Sequence, residues 1–209
     1  MTTLTEKESD ALLLIFRDFT RIYNANSISR ELGITPRGAL KLLKRLQEER
    51  VLVSREYGHA AFYKANLEDA YAQKLIETLL IKESRDTAPR WIEEFKEVYP
   101  HAHIALIFGS VLRDDKKAKD IDLLLVFDKE EFKNVMKLLD KRKAILPKPI
   151  HDLTMTLSDL KTNLMKRNPA MVSAVKHGCI LHGYGTFVEV IKQVQNSQGV
   201  FGIPEPGEQ

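Results

Sequence analysis

Two apolar runs in the second half of the chain constrain its fold more than any other feature of the sequence. They occupy residues 104–108 (IALIF) and 121–127 (IDLLLVF), and a charged loop separates them. Short runs with so few polar residues predict strands that are buried in a sheet. A helix at about residues 130–140 and a further strand at 150–157 are predicted to follow. Strands that alternate with helices predict the α/β or α+β class for this region.

The first 66 residues have a different pattern, in which short helices precede a hairpin. Apolar residues from Leu12 to Phe19 recur at helical spacing. Ser27 as a cap and Gly33 as a stop predict a short second helix, and Thr35 before Pro36 predicts the start of a third. Two β-rich segments, 51–56 and 60–64, then surround a turn and predict a hairpin.

This order of elements resembles the winged helix-turn-helix family of DNA-binding domains. The charge distribution agrees, since residues 1–66 carry eleven Lys and Arg against eight Asp and Glu, while residues 67–209 carry twenty-one of each. A local cationic face suits a polyanionic partner. The resemblance implies that the third helix and the wing contact DNA, although a merely solvated face or a protein-binding surface is the alternative. The candidate DNA-binding residues are Arg37, Lys41, Lys44, Arg45, Arg55 and His59.

A Gly-Ser pair and an Asp-x-Asp motif accompany the two apolar runs. Gly109 and Ser110 follow the first run, and Asp120 and Asp122 flank Ile121 at the start of the second. Gly109 would allow the backbone to approach a triphosphate, and Ser110 would offer a hydroxyl and an N–H at the start of a helix. In a strand the two carboxylates share one face, where their mutual repulsion favours a cation such as Mg²⁺.

An apolar strand, Gly-Ser, a spacer of this length and Asp-x-Asp on the next strand resemble the polymerase-beta-like nucleotidyltransferase superfamily, in particular its minimal branch. The likeness covers about residues 90–185. It implies a small mixed sheet flanked by helices and a nucleoside triphosphate bound at Gly109, Ser110 and Arg113, although Asp114 replaces the glycine that usually follows this arginine. It also implies a third carboxylate on a later strand, for which Asp152 is our candidate. With Asp120 and Asp122 it would hold two Mg²⁺ ions for phosphoryl transfer.

The composition adds several expectations. Cys179 is the single cysteine, and we expect it to be buried without a disulfide or a zinc site. The five histidines of the second half, His151 included, lie on different predicted elements and predict no metal site. The chain has no membrane-length apolar run and no signal-peptide pattern, so we expect a soluble, cytoplasmic protein without a membrane partner.

Pro89 marks the predicted boundary between the two halves, because proline restricts the residue before it. A helix at about 67–84 precedes it and is our candidate for a homodimer interface. The predicted segments are a winged helix-turn-helix at 1–66, a linker helix at 67–88, a nucleotidyltransferase domain at 89–190 and a C-terminal tail at 191–209.

Three functions remain open from the sequence. The first is an active nucleotidyltransferase that modifies a nucleic-acid or protein acceptor. The second is a transcriptional regulator whose second domain only senses a nucleotide. The third is an antitoxin-like protein that modifies a partner, or a relative that acts on tRNA.

Overall fold

A computed structural model of the chain describes residues 4–197. It confirms the α+β class, since the described residues form helices and two small sheets. The described part divides into two compact units, residues 4–79 with 191–197 and residues 80–190. None of the helices in this part is long and apolar enough to cross a bilayer.

The first unit contains three helices followed by an antiparallel hairpin, in the order that the sequence predicted. A capping box between Thr5 and Glu8 begins the first helix. Asn24, rather than the predicted Ser27, caps the second, and Ser27 completes that capping box from three residues further on. These elements are α1 (Glu6–Arg17), α2 (Ala25–Leu32), α3 (Pro36–Glu48), β1 (Leu52–Tyr57) and β2 (Ala60–Ala65).

A short polar network connects the helices to the hairpin. The hydroxyl of Tyr23 donates to Asp18 at 2.6 Å, and the Tyr23 backbone pairs with that of Tyr63 on β2. Burial and the neighbouring Asp18 carboxylate raise the pKa of Tyr23 well above its usual range, so this phenol stays a donor. Lys64 is also buried, and its ammonium donates to the carbonyl of Phe19 at 3.2 Å.

The two boundaries between the compact units lie within two longer helices. They are α4 (Ala70–Thr87) and, at the end of the described part, α9 (Tyr184–Ser197). The prediction of a tail from residue 191 was wrong as far as Ser197, because Val194 is fully buried and Glu68 accepts a hydrogen bond from Asn196 at 2.7 Å. The rest of the predicted tail lies outside the described residues.

The second unit is built on a four-stranded mixed sheet. Strand β3 pairs antiparallel with both β4 and β6, and β4 pairs parallel with β5, which gives the order β5-β4-β3-β6. The helix α7 was not predicted, although Thr156 and Asp159 form a capping box at its start. The elements are α5 (Pro89–Phe95), β3 (Ile104–Phe108), β4 (Ile121–Val126), α6 (Phe132–Ile145), β5 (Ile150–Met155), α7 (Leu157–Met165), α8 (Pro169–His177) and β6 (Cys179–His182).

One face of this sheet packs on helices α5 and α6. Alternate residues of β4, including Ile121 and Leu123, are fully buried in this core together with Phe95 and Leu139 from the helices. Cys179 belongs to the same core, as its isolation in the sequence led us to expect. Because neighbouring residues of a strand point to opposite faces, Asp122 lies on the face away from α5 and α6.

The partly buried His182 on β6 makes stability depend on pH. Its ring stacks on Tyr99 with the centroids 4.7 Å apart, and burial lowers its pKa, against the effect of its hydrogen bond to the Ala102 backbone. The unfolded chain therefore holds this proton more tightly than the folded one. The contribution of His182 to stability must therefore fall as the pH drops below about 6.5, the ordinary pKa of histidine, towards its lower pKa in the folded state.

We expect the melting temperature to fall between about pH 7 and pH 5 in the wild type and to fall less in His182→Gln. Thermal unfolding followed by circular dichroism across this range measures the difference. His177→Gln removes an exposed imidazole from the same unit and should keep the wild-type pH dependence. The same loss in the wild type and in His182→Gln would contradict this account.

Candidate metal centre

The candidate site forms where β3 ends and β4 begins. The antiparallel register pairs Phe108 with Asp122, so the residue after Phe108 lies beside the Asp122 carboxylate. Asp120 precedes the strand, and Ile121 between the two aspartates is fully buried on the core side. Both carboxylates therefore lie together at one end of the sheet, beside the Gly-Ser pair.

Gly109 makes this close approach possible. Its φ is +81°, in the left-handed region that favours glycine, and a Cβ at this position would overlap Oδ2 of Asp122 and lie 3.1 Å from its Cγ. The turn that follows is one turn of 3-10 helix, Gly109–Leu112, rather than the longer helix expected from the sequence. A phosphate bound here would face the N–H groups that begin a tight turn, which have no hydrogen-bond partners within that turn. So short a helix would add little dipole to this interaction.

His151, for which the sequence predicted no metal site, completes a group of three candidate ligands. It lies on β5, where the parallel register pairs it with Asp122. Its Nδ1 is 3.5 Å from an oxygen of Asp120 and 3.8 Å from an oxygen of Asp122. One ligand atom from each residue lies within 4.8 Å of the others. Ligand atoms around Mg²⁺ lie about 2.1 Å from the ion, hence about 3 to 4 Å from one another, so these three residues are close enough to hold a divalent cation.

The structure does not bring Asp152, our candidate for the third carboxylate and metal ligand, together with Asp120 and Asp122. Asp152 pairs with Leu123, whose side chain belongs to the core, so it points to the opposite face of the sheet from Asp122. Lys143 on α6 binds its carboxylate at 2.6 Å, and only 15% of the Asp152 side chain is exposed. The carboxylate of Asp152 is therefore already paired with a cation of α6. The predicted strand does lie beside β4, but it is the preceding residue, His151, that faces Asp122.

The electrostatics of the pair favour a cation. Burial raises the pKa of Asp122, and the negative charge of Asp120 raises it further, whereas the nearby His151 lowers it. Ionising both aspartates is therefore unfavourable without a positive partner between them. A divalent cation would supply that partner.

The loop between the Gly-Ser pair and Asp120 is anchored at its middle. Asp115 accepts a hydrogen bond from Arg90 on α5 at 2.8 Å, and the ammonium of Lys148 contacts both its carboxylate and its carbonyl. The backbone carbonyl of Ser110 accepts from the N–H of Arg113, and the Arg113 side chain is exposed. Arg113 thus lies at the edge of the predicted nucleotide site. The structure shows no contact between its side chain and the carboxylates of Asp120 and Asp122.

The predicted DNA-binding residues of α3 divide into two groups. Arg37, Lys41 and Lys44 are exposed on α3. Arg45, by contrast, binds Glu8 at 2.9 Å, and the side chain of Glu8 is only 6% exposed. Arg45 also lies 3.5 Å from Glu49, so its charge is already matched within the unit. On the hairpin, the guanidinium of Arg55 lies over the Tyr57 ring, and His59 is exposed in the turn.

Comparisons of the chain with family models, with curated proteins and with solved structures give no significant match. The geometry of the site and the chemistry of its residues therefore carry the functional argument.

Two glycine substitutions separate backbone strain from the contact with Asp122. Gly109→Ala and Gly58→Ala each place an L-residue at positive φ, at a cost of about 1 to 2 kcal/mol. Only at Gly109 does the new Cβ meet a neighbouring carboxylate, since nothing lies within 4 Å at Gly58. We expect Gly109→Ala to lower stability more than Gly58→Ala and to weaken Mn²⁺ binding, which Gly58→Ala should leave unchanged. Urea unfolding and calorimetric titration measure the two effects, and unchanged Mn²⁺ affinity in Gly109→Ala would overturn the role given to this glycine.

Proposed function

We propose that this protein is a nucleotidyltransferase that depends on a divalent cation and binds DNA through its first unit. It would transfer a nucleoside monophosphate from a nucleoside triphosphate to a nucleic-acid or protein acceptor, with pyrophosphate as the leaving group. The observation that carries the proposal is the contact of Gly109 with Asp122 beside Asp120, at the end of two paired strands. It places two carboxylates that could share a cation beside a glycine turn whose first N–H groups could bind phosphate oxygens.

The donor set fits the cation that such a reaction needs. Carboxylate oxygens are the ligands that Mg²⁺ and Mn²⁺ accept, and these ions also bind triphosphates. When bound, the cation would offset negative charge on the transferred phosphoryl group. Asp120 and Asp122 would hold it, while the N–H groups at the start of the Gly109–Leu112 turn would orient the phosphates.

The acceptor hydroxyl needs no covalent partner on the protein in this scheme. It attacks the α-phosphorus, the bond to the pyrophosphate oxygen breaks, and the proton of the hydroxyl leaves to solvent or to a nearby base. Positioning and electrostatic stabilisation then supply most of the catalysis.

A second candidate function has a specific observation in its favour. Within residues 4–197, the group of three ligands contains His151 where the resemblance implied a third carboxylate. A protein that only senses a nucleotide has less need of three carboxylates than an enzyme does. The alternative is therefore a DNA-binding regulator, or an antitoxin-like protein, whose second unit binds the nucleotide without transferring it.

Transfer from α-³²P-labelled nucleoside triphosphates distinguishes the two functions. Wild-type protein, a divalent cation and either RNA, DNA or a cell lysate should give a labelled macromolecule. Asp120→Asn and Asp122→Asn should lower transfer by at least about 100-fold, because they remove ligands of the cation. Asp152→Asn makes the same chemical change outside the site and should leave transfer unchanged. Nucleotide binding without label in any acceptor would replace the enzyme with the regulator.

Binding to duplex DNA tests the cationic face of α3. Arg37→Ala, Lys41→Ala and Lys44→Ala combined should weaken binding and reduce the salt dependence by about 0.9 in log–log slope for each lost phosphate contact. Lys74→Ala on α4 also removes an exposed cation from the first unit and serves as the control. Fluorescence anisotropy at several salt concentrations measures both quantities. An equal loss in the control would show that overall charge, rather than this face, governs binding.

A further inference from the structure

We propose that His151 is a metal ligand that makes the site selective for one transition-metal cation, of which Mn²⁺ is the representative, instead of a pair of Mg²⁺ ions. This inference rests on the proposed function, since it concerns the cation of the same site. It follows from the position of His151 on β5, the ligand chemistry of imidazole and the charge of the three residues.

The position of His151 is held by the backbone on both sides of the site. The N–H of Ile121, between the two aspartates, donates to the carbonyl of Pro149 at 2.9 Å. Lys148, the residue before that proline, binds Asp115 in the loop that leads to Asp120. The segment that carries the histidine and the segment that carries the carboxylates are therefore connected at two points, so the backbone holds the Cα atoms of the three residues at fixed distances.

The register of β4 and β5 gives His151 the third position. It is paired with Asp122 and lies on the same face, whereas the next residue, Asp152, lies on the other face in an ion pair with Lys143. The site thus offers two carboxylate oxygens and one imidazole nitrogen. Imidazole is a poor ligand for Mg²⁺ and a good one for first-row transition metals. Mn²⁺ favours the same oxygen ligands as Mg²⁺, phosphate included, but it accepts an imidazole nitrogen more readily, so this mixed set shifts selectivity from Mg²⁺ towards Mn²⁺.

The charge of the group limits the number of ions. Two carboxylates and a neutral imidazole carry a charge of −2, which balances one divalent cation. Two ions about 3.5 to 4 Å apart share bridging ligands, and in the absence of a nucleotide these three residues have no negative charge left for a second ion. In the part of the chain that the structure describes, no other group of three His, Cys, Asp or Glu residues has this geometry. A triphosphate would complete the shell of a single ion.

His151 could instead act only as a cationic partner of the two aspartates, and a spectroscopic measurement separates the two roles. A histidine nitrogen bound to Mn²⁺ produces ¹⁴N modulation in the electron spin echo of the ion, and an ion-pairing histidine does not. The experiment records this signal on the full chain with Mn²⁺ alone, together with Mn²⁺ and Mg²⁺ affinities by calorimetry. The variants are His151→Ala and His151→Asp, with His177→Ala and Asp152→Asn as controls.

We expect ¹⁴N modulation in the wild type and in both controls, and its loss in His151→Ala and His151→Asp. Mn²⁺ affinity should fall by at least about 10-fold in His151→Ala. In His151→Asp the preference should move towards Mg²⁺, because oxygen replaces nitrogen and a third negative charge is added. Unchanged modulation in His151→Ala, or equal Mn²⁺ affinity, would overturn the proposal.

The outcome also separates this inference from the proposed function. Nitrogen-coordinated Mn²⁺ without nucleotide transfer would refute the enzyme and keep the ligand assignment. Transfer that proceeds equally well with Mg²⁺ in the wild type and in His151→Ala would refute the ligand assignment and keep the enzyme.

Discussion

The antiparallel pairing of β3 and β4 is the interaction on which the candidate site depends. It brings Phe108 opposite Asp122 and so places Gly109 against a carboxylate, a contact that no residue with a side chain could make. The same pairing buries Ile121 and leaves both aspartates at the end of the sheet. Burial first, and then the negative charge of Asp120, raise the pKa of Asp122, and a cation between the two carboxylates would offset both effects.

The parallel pairing of β4 with β5 decides which residue of β5 lies beside the two aspartates. Side chains alternate along a strand, so a shift of one residue exchanges the two faces. His151 and Asp152 are neighbours in the sequence, yet one lies beside Asp122 and the other binds Lys143 on the opposite side of the sheet. The chemistry of the site therefore depends on one step of register. With Asp152 beside Asp122 the three side chains would all be carboxylates, whereas with His151 there they offer both oxygen and nitrogen atoms.

In the first unit, the basic residues of α3 lie in two different environments. The face of α3 presents Arg37, Lys41 and Lys44 to solvent, whereas Arg45, one residue along, neutralises a buried glutamate. Breaking a buried ion pair leaves an uncompensated charge, so Arg45 contributes to stability whether or not it contacts DNA. A charge count along the sequence treats all four as equivalent, and burial separates them.

The sequence by itself determined the elements of secondary structure that carry the site, and the family resemblance of its motifs associated Gly109 and Ser110 with Asp120 and Asp122. Continuous apolar runs, helix caps and an alternating Asp-x-Asp motif are local signals, and local physics is enough to interpret them. It did not determine which residue of β5 lies beside the two aspartates, the helix α7 or the helical residues 191–197. Only the tertiary structure decided these. Which residue of β5 faces Asp122 depends on hydrogen bonds to a strand that lies far away in the sequence, and whether Arg45 is free depends on Glu8, a residue of another helix.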